Sequence, residues 1–173
     1  MLLRGTESIS RVLDPGETTQ QKFERLTANI NGIVWEIDLA THQFIFVSQQ
    51  AEPILGYPRE QWRLVSYMIA HLHPDDRERV IAVATQIIHE QRTQALEYRV
   101  IAADGQTVWL RDNINVVVEA GQTTKLYGVM VDVTGQKQTK AELSLFRTLI
   151  DHINDGIEII DPETEHFIDC NGQ

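Results

Sequence analysis

The apolar positions of this chain change period along its length, and the changes mark out elements. GIVWEID (Gly32 to Asp38) and QFIFVS (Gln43 to Ser48) are rich in β-branched and aromatic residues. The polar turn LATH between them predicts a β-hairpin. Pro and Gly in AEPILG and PREQWRLV limit the next stretch, Ala51 to Ala70, to short helical pieces. A longer helix is predicted from Pro74 through HPDDRERVIAVATQIIHEQ. Pro74 suits a first helical position, and Asp75 and Asp76 meet the positive end of the helix dipole. Val80, Ala84, Ile87 and Ile88 form one apolar face. Three further strands are expected in ALEYRVIA, TVWLRDNINVVVE and TKLYGVMVDVT, separated by ADG and AGQ, whose glycines suit tight turns.

Two strands, a helical crossing and three strands predict an α+β domain. Its five-stranded antiparallel sheet carries short helices and one longer helix on one face. In the last strand Leu126, Gly128 and Met130 alternate with Tyr127, Val129 and Val131, so both faces are largely apolar and both need cover. The helical crossing can cover one face. Flanking amphipathic helices or a second subunit are the candidates for the other.

A shift of 123 residues aligns Phe23 to Gln50 with Phe146 to Gln173. Ten pairs are identical, among them Ile30/Ile153, Asn31/Asn154, Ile37/Ile160, Asp38/Asp161, Thr41/Thr164 and Phe44/Phe167. The expected organisation is an N-terminal segment at 1–22, partly helical or disordered, and a complete unit at 23–134. A linker helix at 135–155 and the start of a second, truncated unit at 156–173 follow. In the linker, Leu143, Phe146, Ile150 and Ile153 recur at spacings of three, four and three, an a/d seam of under three heptads. It could pair with a second chain or pack on a neighbouring sheet. Polar Gln136 at its extrapolated start argues against a long uninterrupted zipper.

With 173 residues, 42% of them hydrophobic and 23% charged, the chain is globular and able to bury one core. Its net charge of -10 argues against a nucleic-acid partner. The absence of a long apolar run argues against membrane insertion by this segment, and Met-Leu-Leu-Arg does not begin a signal peptide. The single cysteine, Cys170, fits a reducing compartment, so cytoplasm is the expected location, although a parent protein could be membrane-anchored elsewhere.

From about Phe23 to Thr134 the chain resembles a PAS domain with its C-terminal PAC motif. The resemblance is carried by Gly32 to Asp38, Phe46-Val47-Ser48, Leu55-Gly56-Tyr57 and His73-Pro74-Asp75-Asp76-Arg77. Asp104-Gly105, Trp109, Gly121, Gly128 and Asp132-Val133-Thr134 followed by Lys137 complete it. It implies a curved sheet that encloses a ligand pocket, flanked by helices that carry a signal to the next module. The implied parent is a multi-PAS signalling protein, a sensor histidine kinase of a two-component phosphorelay first. A diguanylate cyclase or phosphodiesterase is the alternative. No phosphoacceptor-His box, ATP lid or GGDEF-like segment occurs in the sequence, so the fragment itself is expected to catalyse nothing.

Alternation places Tyr98, Val100, Leu110 and Met130 on one face of the sheet, and the resemblance makes that the pocket face; a ligand-free packed core explains the same pattern. The cofactor stays unassigned. Flavin photochemistry in relatives uses a Cys in the short-helix region and a Gln on the last strand. This chain has no Cys between Ala51 and Ala70, and Met130 stands near the Gln position. Haem-binding relatives often take a His of the long helix as ligand. His89, the one candidate there, is expected to be a solvated residue. His71 and His73 lack a third metal ligand at useful spacing.

Asp132 falls on the inward register, where it would need a partner, and Arg99 and Arg111 are the candidates. Thr134 can cap the helix that follows. Asp132, Thr134, Arg99 and Arg111 are therefore the expected transmission residues. The expected partners are a second copy of the chain, the downstream PAS and output domains of the parent, and a small ligand. A ligand-free dimerisation scaffold is the rival reading.

Overall fold

The structure is a computed structural model that describes residues 24–150 and the backbone of residues 151, 158–160 and 167–170. The chain divides into two compact units, Met1–Asp132 and Val133–Gln173.

In the first unit, strands β1 (Ile33–Asp38) and β2 (Gln43–Val47) form the expected hairpin. Helix α1 (Ala51–Leu55), a 3-10 turn (Arg59–Gln61) and α2 (Val65–His71) follow. Then come the longer α3 (Pro74–Glu90) and strands β3 (Gln94–Ile101), β4 (Thr107–Glu119) and β5 (Gln122–Asp132). All strand neighbours are antiparallel, in the order β2-β1-β5-β4-β3, so the last strand sits at the centre. This is the α+β sheet that the order of elements predicts. Ala120 and Gly121, both at positive φ, make the two-residue turn between β4 and β5. That backbone twist matches a β-ribbon and needs a residue such as Gly.

Alternation sorts the side chains. Ile33, Trp35 and Ile37 of β1, Leu96, Tyr98 and Val100 of β3, and Leu110 and Ile114 of β4 are buried, as are Leu126 and Met130 of β5. Val80 and Ile87 of α3 pack into the same core, with Ile88 partly buried against it. On the opposite face of β5, Tyr127 is 46% exposed and Val129 and Val131 are half-buried.

Helix α3 begins as Pro74 demands, with His73 as N-cap; the His73 ring accepts a bond from the Asp75 N–H. Asp76 does more than meet the helix dipole. Its carboxylate accepts bonds from Arg99 Nε at 2.9 Å, from Arg99 Nη2 at 3.0 Å and from the Arg99 backbone N–H at 2.9 Å. These bonds fasten the helix start to the edge strand β3. The Arg99 guanidinium holds the Asp76 carboxyl well below the usual carboxylate range.

Helix α4 (Thr134–Asp151) opens the second unit. Leu143, Leu145, Phe146 and Leu149 on it are at least half exposed and Ile150 is half-buried; Ile153 lies outside the described residues. Strands β6 (Glu158–Ile160) and β7 (Phe167–Cys170) pair antiparallel. Their pairs Glu158–Cys170, Ile159–Asp169 and Ile160–Phe167 repeat Trp35–Val47, Glu36–Phe46 and Ile37–Phe44 at a constant offset. The bulge also falls at the equivalent step. The sequence repeat is therefore also a repeat of backbone geometry in the hairpin. No helix of the described residues is long and apolar enough to cross a membrane.

Candidate functional site

A cavity of about 420 Å³ lies between the inner face of the sheet and helices α2 and α3, within the size range of small-molecule sites. Its helical wall includes Met68, Ile69, Ala84 and Ile88. Its sheet wall includes Trp35, Leu96, Tyr98, Asp112, Ile114 and Met130. Thr85 and Thr123, also in the lining, spend their hydroxyls on the carbonyls of Ile81 and Ile88.

One carboxylate organises the polar side of this apolar space. Asp112, 2% exposed, stands on β4 at an inward position between Leu110 and Ile114. Trp35 Nε1–H donates to its Oδ1 at 2.9 Å, and the Tyr98 hydroxyl donates to its Oδ2 at 3.0 Å. Trp35 belongs to β1 and Asp112 to β4, with β5 between them. The indole therefore lies across the central strand, directly over its cross-strand partner Gly128. A Cβ at position 128 would come within 3.0 Å of Trp35 Cζ2 and 2.3 Å of the Asn113 carbonyl oxygen. Glycine is what lets the indole reach. Phe44 meets the Trp35 ring edge-on at a centroid distance of 6.4 Å, and Trp62 meets Phe44 in turn at 5.8 Å, so aromatic packing fixes the ring.

Burial pushes the Asp112 carboxyl up to about 7, while the bonds from Trp35 and Tyr98 pull the other way. Burial first, and the Asp112 charge second, raise the Tyr98 phenol well above its ordinary value, so Tyr98 stays a neutral donor.

The sequence-predicted residues divide. Tyr98 and Met130 line the cavity. Val100 and Leu110 share their face and are buried in the core, but they are not among the lining residues. Asp132 is exposed rather than an inward carboxylate: the β1 ladder ends at the Ile33–Met130 pair, so Asp132 runs past its neighbour on that side. Arg99 and Arg111 engage other carboxylates, Arg99 that of Asp76 and Arg111 that of Glu97, because those lie on adjacent elements at ion-pair distance. Thr134 is the first residue of α4. His89 is exposed in the last turn of α3, and the His71 ring packs at a tilt against those of Tyr57 and Tyr67, 4.4 Å from each between centroids. Among the described residues, no three His, Cys, Asp or Glu side chains gather as a metal site.

Asp112 and Trp35 were not among the predicted site residues. The available signal was an acidic residue on the buried register of a strand, flanked two positions away on each side by Leu110 and Ile114.

Comparison with known proteins points the same way as this geometry. The family model described as the PAS fold matches residues 44–130, about half of the chain. The sensor protein FixL of Bradyrhizobium diazoefficiens is 25% identical over 158 residues, covering 88% of this chain and 31% of FixL. The chain thus spans about a third of that curated relative. Among solved structures, the N-terminal domain of a diguanylate cyclase with PAS/PAC sensor from Marinobacter aquaeolei is 30% identical. The match covers 61% of this chain and 98% of that one, with a TM-score of 0.59. A sensory box histidine kinase/response regulator from Burkholderia thailandensis shares the fold at 22% identity, covering 76% and 99% of the two chains with a TM-score of 0.63. A central fifth strand, a helix-capped cavity on its inner face and a matching family model together make this chain a member of the PAS family of sensory domains.

Proposed function

We propose that the chain is a cytoplasmic sensory module of a multi-domain sensor histidine kinase. In this reading it binds a small molecule in the cavity and passes the signal through Asp132-Val133-Thr134 into helix α4. The observation that carries the reading is the Trp35–Asp112–Tyr98 group. It straddles β5, the strand that runs on through Val133 into α4. A ligand that shifts these bonds moves side chains packed on the central strand. The chain's own role is recognition and transmission, with catalysis left to an output domain of the parent. Likeness to FixL supports a kinase as that parent, and likeness to the diguanylate cyclase domain supports the cyclase alternative.

The test has two parts. Native mass spectrometry and an absorption spectrum of the purified chain are expected to reveal a bound small molecule; a protein free of ligand, and indifferent to a small-molecule library, sinks the sensory reading. In the parent, Asp132→Ala and Thr134→Ala are expected to alter output or its ligand response, and an unchanged response removes the junction from the mechanism.

A second reading, a homodimerisation scaffold, is favoured by one observation: the exposed Leu143, Leu145, Phe146 and Leu149 on α4. The two readings are compatible when the dimer is the form that senses.

A further inference from the structure

We infer that the cavity selects ligands with an apolar body and one cationic amine, and that Asp112 is the residue that receives the amine. The inference rests on the reading of the cavity as a ligand site and deepens it.

A carboxylate offers about four lone-pair positions to donors. Asp112 has two filled, one by Trp35 and one by Tyr98, and both donors are neutral. Among the described residues lining the cavity there is no lysine or arginine. The ionisable side chains there besides Asp112 are Tyr98, a neutral phenol, and His42 from the β1–β2 turn. The Thr85 and Thr123 hydroxyls spend their donors on the carbonyls of Ile81 and Ile88, which leaves them acceptors. Apart from His42 at the β1–β2 turn, the polar character left for a ligand is therefore that of acceptors, with the negative charge at Asp112, set among Leu, Ile, Met and Val side chains.

A buried carboxylate without a cation is costly, and a ligand ammonium supplies the missing charge. A ligand carboxylate meets repulsion there instead. A hydroxyl can donate one bond but leaves the charge uncompensated, so amine and alcohol of the same skeleton are told apart. Burial of Asp112 raises its carboxyl to about 7, so a substantial fraction is ionised at neutral pH and available to such a ligand.

The experiment is calorimetric titration of the whole 173-residue chain at pH 7.5 with 4-phenylbutylamine, 4-phenylbutanol and 4-phenylbutyrate. The amine is expected to bind at least tenfold more tightly than the alcohol, and the carboxylate most weakly. In Asp112→Asn the preference of amine over alcohol is expected to vanish, with cooperative thermal unfolding as the check that the variant is folded. Equal binding of amine and alcohol by the native protein overturns the inference and leaves the ligand-site reading standing. A preference that survives in Asp112→Asn overturns the role of Asp112. No binding of any of the three at millimolar concentration overturns the inference, and the ligand-site reading falls with it only if the purified chain is also free of ligand and indifferent to the small-molecule library.

Discussion

Trp35 reaches Asp112 across an intervening strand, its Nε1–H 2.9 Å from Oδ1, and the strand between them carries Gly128 beneath the indole. Three strands, β1, β3 and β4, thereby converge on one carboxylate without β5 contributing a side-chain hydrogen bond.

The position beneath the indole is the first test. Gly128→Ala places a methyl group 2.3 Å from the Asn113 carbonyl oxygen, a backbone atom that can yield only by moving the β4–β5 ladder. We expect a loss of about 3 kcal/mol or more, the upper range for overpacking, measured by urea denaturation. Fluorescence of the folded variant should differ as Trp35 is displaced. An unchanged midpoint would show that the sheet absorbs the methyl group freely.

Asp112 sets an unusual pH dependence. Its folded value of about 7 lies above the unfolded value near 3.9, so between these the native state holds a proton that the unfolded chain has released. Stability contributed at this site is therefore present at low pH and lost as pH rises from about 4 to 7, by about 4 kcal/mol for a shift of this size. Asp112→Asn keeps an acceptor for Trp35 without the charge. Thermal unfolding should show it equal to the native protein below about pH 4 and progressively more stable as the pH rises to 8.

Asp76 acts in the opposite sense. Its carboxyl is held below its unfolded value by Arg99, so its contribution is present above about pH 4 and lost as the pH falls further. Asp76→Ala should cost about 3 kcal/mol at neutral pH, because the Arg99 guanidinium and backbone N–H both lose their acceptor. The acid limb of the stability curve should flatten in this variant. Together the two aspartates place the stability maximum of the native protein in mildly acidic solution.

Helix α4 offers the test of association. Leu143 and Phe146 are 50% and 53% exposed, one turn apart. If these side chains form the dimer seam, Leu143→Asp with Phe146→Asp should convert a dimer to a monomer by light scattering while the melting of the β-sheet core stays within about 0.5 kcal/mol of native. A mass that does not change would place any dimer contact elsewhere.

Much of the fold was legible because its signals are local. Alternation in β3, β4 and β5 decided which side chains point inward, and Pro74 marked the start of α3 within one residue. The site was less legible because its partners are distant. Trp35 and Asp112 are 77 positions apart, and their contact depends on strand order: β5, last in sequence, inserts between β1 and β4. The carboxylate that Arg99 engages was equally hard to read. Its partner Asp76 comes from the helix start that docks against the edge strand, where His73 N–H bonds the Arg99 carbonyl, and nothing in the spacing of the two residues announces that docking. At Asp132 alternation gave the correct register but could not tell that the adjoining ladder had already ended.

The Trp35–Asp112–Tyr98 group has an evolutionary consequence. The substitution that removes the buried charge, Asp112→Asn, is one base change from the native codon and is expected to make the domain hardier at neutral pH. It would also make it deaf to an amine. Selection for robustness alone would discard the aspartate, so its persistence in a lineage would be a mark of the signal it hears.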